Sequence, residues 1–203
     1  MFEFLKSADK EVFLFLNGMH NSFFDFVMYW ASNRFIWIPF YAFLFYHVIK
    51  AFQKKSVLIL VLIAAMITVS DQVSSSIVKN AVHRLRPCHN PEIKSQVHLV
   101  NGECGGTFGY FSSHATNSFA LAVFLFLLFR KKANQAAVNE VTKPFVKISN
   151  LAVVLFLYAG IVSYSRIYLG SHYPLDVITG IAFGTLLSFI FAQIFFRITG
   201  NKM

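Results

Sequence analysis

Three residues in the last fifth of the chain have types and spacing that suit catalysis. They are Arg166, His172 and Asp176, in the run SRIYLGSHYPLD at residues 165–176. His172 and Asp176 are four residues apart, and Pro174 between them suits the first turn of a helix. At that spacing a carboxylate can reach one imidazole nitrogen and fix the tautomer. The other nitrogen is then free to attack an electrophile, the pairing of nucleophile and orienting acid. The same pair could instead only satisfy two buried polar groups. With His114 it could also supply ligands to zinc.

Two further clusters bear on that choice. Lys79 and Arg86 are seven residues apart, in a run that ends at Pro87. On a continuous helix that spacing is close to two turns, which expects both cations on one face. Arg86 offers a two-pronged contact to phosphate oxygens and Lys79 a compact point charge. The other cluster is Phe111, Ser112, Ser113 and His114, directly before an apolar run. Ser112 or Ser113 is a natural helix N-cap, and the free amides of a helix start attract anions. His114 then falls in the first turn beside any bound anion. Three cations, Lys79, Arg86 and Arg166, would repel a metal ion, so the set favours a phosphate dianion and no metal.

The elements that position these residues are apolar. The chain has 203 residues, of which 56% are hydrophobic and 13% charged, with 25 Phe. A soluble domain is usually about a quarter charged. Apolar blocks occur at 35–51, 57–78, 115–129, 148–164 and 174–196, and spanning a bilayer takes about 20 residues. The blocks do not alternate as a β-barrel would require. The expected fold is an all-α, polytopic transmembrane helical bundle forming a single domain over 1–203. Residues 1–32 mix Phe and Leu with frequent charges, which suits amphipathic interfacial helices. A sixth span at 10–31 is the alternative.

Five alternating spans put Lys50–Lys55, Arg130–Lys147 and Arg197–Lys202 on one side. Their basic excess marks that side as cytoplasmic, with 130–147 a cytoplasmic linker. The loop 80–111 and the turn 165–174 then face outward together. This places Lys79, Arg86, His114, Arg166, His172 and Asp176 at one membrane face, where ionisable groups mark function. The formal charge of +9 is explained by these flanks, so nucleic acid is not expected as a partner. The acidic residues in MFEFLKSADKEVF argue against a cleavable signal peptide. Cys88 and Cys104 share the outer loop and are candidates for a disulfide, closing about 17 residues and contributing about 3 kcal/mol.

Taken in order, the three clusters resemble the type 2 phosphatidic acid phosphatase superfamily. Its pattern is Lys-x6-Arg-Pro, then Pro-Ser-Gly-His, then Ser-Arg-x5-His-x3-Asp. The first and third parts match at Lys79 to Pro87 and Ser165 to Asp176. The second carries Phe111 for Pro and Ser113 for Gly. The resemblance implies an integral membrane, metal-independent phosphatase that needs no cofactor. In it His172 forms a phosphohistidine, Asp176 orients His172, and His114 protonates the leaving oxygen. Lys79, Arg86, Arg166, Ser112 and the Ser113 amide hold the phosphoryl oxygens. Embedding in the bilayer implies a lipid phosphate as substrate: undecaprenyl pyrophosphate, phosphatidylglycerophosphate, phosphatidic acid or lipid A phosphate. The expected location is a bacterial inner membrane, with the site facing the periplasm or exterior. A lipid phosphotransferase and a non-enzymatic anionic-lipid binding or transport protein are the alternatives.

Overall fold

A computed structural model describes residues 2–138 and 147–200. Residues 139–146 of the expected cytoplasmic linker, and Lys202 of the basic tail, lie outside the described residues. Eight α-helices account for most of the described chain: α1 (Phe2–Gly18), α2 (Ser22–Ser32), α3 (Ile38–Phe52), α4 (Ser56–Asp71), α5 (Lys79–Val82), α6 (Ser113–Val138), α7 (Ile148–Tyr168) and α8 (Pro174–Ile198). Among the described residues there is no β-strand, only one isolated antiparallel bridge between Leu85 and Phe108. The all-α bundle is therefore as expected.

Among the described residues, four stretches are long and apolar enough to cross a membrane: Arg34–Val82, Ser113–Gln135, Ile148–Tyr168 and Pro174–Ile198. The first holds 49 residues. As one straight helix it would run about 73 Å, more than twice the hydrocarbon core. It breaks at Gln53, which takes φ 51° and ends α3. Ser56 then opens α4, which packs back on α3. Two spans result from this stretch, giving the five expected.

Burial of apolar surface gives little drive between helices already in lipid, so close packing of small residues matters more. A Cβ at Gly180 would lie 2.6 Å from the Ser112 carbonyl oxygen, and one at Gly184 only 2.3 Å from that of Thr116. One turn on, the Ser188 hydroxyl donates to the Ala120 carbonyl at 2.8 Å. This small-residue stripe presses α8 onto α6. Leu44, Ile59, Phe124, Leu155 and Phe195 fill the common core of α3, α4, α6, α7 and α8.

The N-terminal residues form two helices broken around residues 19–21, so a single span at 10–31 does not form. In α1, Phe13 is buried while Phe4 and Phe15 face outward. In α2, Phe23 and Phe26 are exposed. Both helices are tied to the end of α7. Asn17 donates to the carbonyls of Ile167 and Tyr168, capping α7, at 3.4 and 2.7 Å. Tyr168 donates to Asp25 at 2.7 Å. The aromatic faces suit the membrane interface.

The loop from Val82 to Ser112 folds over the same end. Cys88 and Cys104 are joined as a disulfide, their Cα atoms 6.1 Å apart. Cys88→Ala should lower the unfolding midpoint in detergent and remove its sensitivity to reductant, a loss of about 3 kcal/mol. Equal midpoints for wild type and variant, with and without reductant, would show that the bridge contributes nothing.

Candidate active site

All eight expected site residues lie at this end of the bundle. Lys79 opens α5, the continuation of α4 through a π-helical turn at Gln72–Val78. Such wide turns rotate the residues that follow relative to a regular helix and are frequent at functional sites. The Lys79 ammonium donates to the Ser113 hydroxyl at 3.2 Å, which also shares a hydrogen bond with Ser74 at 2.7 Å.

Lys79 and Arg86 do not share a helix face, contrary to the expectation from their spacing. The helix stops at Val82, and His83 takes a left-handed conformation with φ 51°. Residues 84–86 then run alongside 107–109: the Arg86 amide donates to the Thr107 carbonyl and the Gly109 amide to that of Arg84. The two cations nevertheless lie within electrostatic reach of one another. The Arg86 guanidinium donates to the carbonyls of Phe108 and Cys104 at 3.3 and 3.4 Å. A Cβ at Gly109 would stand 3.0 Å from Arg86 Cγ and 3.4 Å from Asp176 Oδ2. The bare glycine is what lets these two side chains approach.

Ser112 is the N-cap of α6. Its hydroxyl accepts from the Ala115 amide at 3.4 Å, while its own amide donates to the Asp176 carbonyl at 3.0 Å. The amides of Ser113 and His114 have no hydrogen-bond partner among the described residues, as expected in a first helical turn. His114 is exposed and lies within electrostatic reach of Arg166, His172, Lys79 and Arg86.

Arg166, in the last turn of α7, donates to the hydroxyls of Ser32 and of Ser171, the latter at 3.0 Å. Its Nε is buried without a partner. Arg166, Ser171, Ser32 and Glu103 line a cavity of about 230 Å³. His172, in the turn between α7 and α8, is 2% exposed. Burial, and then the charges of Arg166, Arg86 and Lys79, hold its imidazole well below the ordinary value of 6.5. It is therefore the neutral base at neutral pH. Its Nδ1 makes no hydrogen bond, and Asp176 Oδ2 is 3.8 Å away, too far for the bond that the four-residue spacing allows. Catalytic hydrogen bonds are often this long before substrate binds. Lys79, Arg86 and Arg166, each partly buried, lie within electrostatic reach of His172, and Arg166 Nε has no partner, an arrangement that suits an anion rich in oxygens.

Two residues of this end were not anticipated. Arg84 donates to Asp176 Oδ1 at 2.6 Å and to Asp9 Oδ2 at 2.5 Å. Its guanidinium lies over the Tyr173 ring, 4.2 Å from the centroid. Asp9 also accepts from the Leu175 amide at 2.9 Å. Arg84 stood in the Lys79–Arg86 run and Asp9 among the polar residues of α1, but nothing local joins residues 75 apart. Metal-ligand geometry occurs among the described residues at Cys88, His89 and Cys104, where the disulfide occupies both sulfurs.

Residues 56–199 match the family model of the PAP2 superfamily. The lipid A 4'-phosphatase of Bacteroides thetaiotaomicron is 40% identical over 204 residues, covering 99% of this chain and 83% of that protein. The lipid A 4'-phosphatase of Porphyromonas gingivalis is 33% identical over 186 residues, covering 91% and 72%. In fold, the chain resembles the transmembrane PAP2-type phosphatidylglycerolphosphate phosphatase of Bacillus subtilis, with TM-score 0.66, 19% identity and coverage of 96% and 87%. It also resembles LpxE of Aquifex aeolicus, with TM-score 0.60, 20% identity and coverage of 90% and 93%. The chain belongs to the PAP2 superfamily and is a membrane-embedded phosphatase.

Proposed function

From that membership we propose that the whole chain acts as one domain that hydrolyses a phosphate monoester of lipid A through a phosphohistidine on His172. One observation carries the chemistry. The buried imidazole of His172 stands 3.8 Å from Asp176, within electrostatic reach of Arg166, Arg86, Lys79 and His114. The substrate rests on the 40% identity to a lipid A 4'-phosphatase, over a match that covers 99% of this chain.

In the first step a ring nitrogen of His172 forms the N–P bond as the P–O bond to the sugar breaks. His114, protonated, gives its proton to the leaving oxygen. In the second step neutral His114 takes a proton from water, whose oxygen forms the new P–O bond as P–N breaks. The products are the lipid alcohol and inorganic phosphate. Asp176 orients the imidazole. Lys79, Arg86, Arg166 and the free amide of Ser113 meet the equatorial oxygens and offset charge that develops there, with Ser112 shaping that helix start. The reaction balances with these groups alone.

The site-bearing end faces the periplasm of a bacterial inner membrane in this reading. Its support is the basic residues at the opposite end, Lys54 and Lys55 before α4, Arg130 to Lys132 in α6 and Arg197 in α8. The lipid then enters sideways with its acyl chains still in the bilayer.

A substrate panel on the purified protein tests the proposal. Diphosphorylated lipid A should lose one phosphate and release it as free phosphate, faster than phosphatidylglycerophosphate, phosphatidic acid or undecaprenyl pyrophosphate. Mass spectrometry of the lipid product locates the loss. Faster turnover of any other lipid would overturn the substrate, and a phosphoryl group recovered on an added alcohol would make the protein a transferase.

A further inference from the structure

Among the charged groups at this end that the motifs leave without a role, Arg84 is held by two ion pairs. Arg84 lies between two buried carboxylates, Asp176 at 0% exposure and Asp9 at 4%. It bonds both at 2.5–2.6 Å, the range of charge-assisted contacts. Each carboxylate in turn holds a backbone amide in the first turn of α8. Asp176 Oδ2 accepts from Tyr173, next to His172, and Asp9 Oδ1 accepts from Leu175. The Tyr173 ring beneath the guanidinium closes the set, and its hydroxyl accepts from Asn90 at 2.9 Å.

We propose that Arg84, braced by Asp9 of the interfacial helix α1, is a positioning residue of the reaction: it fixes the Asp176 carboxylate and with it the angle at which His172 meets phosphorus. The inference rests on the proposed His172 chemistry. Asp176 has two oxygens for three claimants, namely Arg84, the Tyr173 amide and His172. Arg84 takes Oδ1 outright, which leaves Oδ2 turned toward Tyr173 and His172. Without the guanidinium the carboxylate is free to rotate, and the repulsion between Asp9 and Asp176 drives it away from His172. The role differs from that of Arg86, which donates to the loop carbonyls of Phe108 and Cys104. It also gives the N-terminal helix a part in catalysis. Asp9 lies in α1, outside residues 56–199 that match the family model, so the brace joins the N-terminal helix to the motif-bearing part of the chain.

The test compares Arg84→Gln, Arg84→Lys and Asp9→Asn with wild type and His172→Ala, using full-length protein in detergent and diphosphorylated lipid A. Arg84→Gln should lower kcat about 100-fold with KM within about threefold, the scale of misplacing a catalytic group. Arg84→Lys should recover about tenfold of that loss, because charge returns without the fork. Asp9→Asn keeps the volume and an acceptor for Leu175, and should lower kcat about fivefold. Thermal unfolding of each variant is followed alongside. A kcat within twofold of wild type in Arg84→Gln would overturn the inference. So would a loss carried equally by KM and unrelieved by Lys. If Arg84→Gln does not fold, Asp9→Asn decides, and an unchanged kcat there overturns it. Wild type acting on a different lipid phosphate moves the comparison to that lipid and leaves Arg84 readable. A wild type inert on every lipid phosphate overturns this inference and the proposed chemistry together.

Discussion

His172→Ala is expected to release phosphate from its lipid at least about 10⁴-fold more slowly than wild type, because in the proposed mechanism it deletes the atom that bonds to phosphorus. Lipid binding should persist, since Lys79, Arg86 and Arg166 remain. Rapid-quench experiments with labelled lipid should trap phosphohistidine in wild type and none in the variant. His114→Ala should separate the two steps. With a lipid leaving group it should lose about 10²–10⁴-fold, the usual share of a general acid. With an activated aryl phosphate, which needs no protonation, the first step should survive and the phosphohistidine accumulate. A His172→Ala protein within tenfold of wild type would remove His172 from the chemistry. Equal losses by His114→Ala on both substrates would remove His114 as the acid.

Gly184→Leu should be the most damaging change outside the chemistry. A Cβ there would meet the Thr116 carbonyl oxygen at 2.3 Å and the Ala120 amide at 3.1 Å. Both are backbone atoms of a helix and cannot swing aside, so α8 must move off α6. Overpacking of this kind costs about 1–3 kcal/mol and sometimes more. The displacement also separates His172 and Asp176, at the start of α8, from His114, at the start of α6. A shift of about 1 Å can cost about 10²-fold in rate. Both the unfolding midpoint and the turnover should fall. Gly160→Leu is the control, since a Cβ at Gly160 meets nothing within 4 Å. If Gly184→Leu unfolds and turns over like Gly160→Leu, the close approach of α6 and α8 is not what sets the site.

Much of the site was legible because the bilayer restricts the alternatives. Span ends have only two sides, so counting apolar blocks put Lys79, His114, Arg166 and His172 together without any contact information. Residues 1–32 were legible for a related reason: their charges are too frequent for hydrocarbon, and their aromatic residues too frequent for water. The helix end at Val82 was not legible. No Gly or Pro lies between Lys79 and Arg86, and the stop comes from backbone pairing of 84–86 with 107–109, a contact between distant residues. The same loop pairing directs Arg84 to Asp9 and Asp176, and no local pattern links those three. The His172–Asp176 spacing gave the neighbours but not the distance, because Arg84 and the Tyr173 amide compete for the same two oxygens.

The hydroxyl of Ser113 has a consequence for how Lys79 is held. Where the superfamily pattern has glycine, this chain places an oxygen 3.2 Å from the Lys79 ammonium, backed by Ser74. A lysine at a low-dielectric rim is costly to leave bare. In the proposed mechanism Ser113 would act as a resting berth for the ammonium at the start of α6. A phosphate oxygen would then exchange for a hydroxyl oxygen as the lipid docks. Ser113→Gly should therefore leave the chemistry in place but slow capture, lowering kcat/KM while sparing kcat. The residue that departs from the pattern would then work at the rate of entry rather than at the bond that breaks.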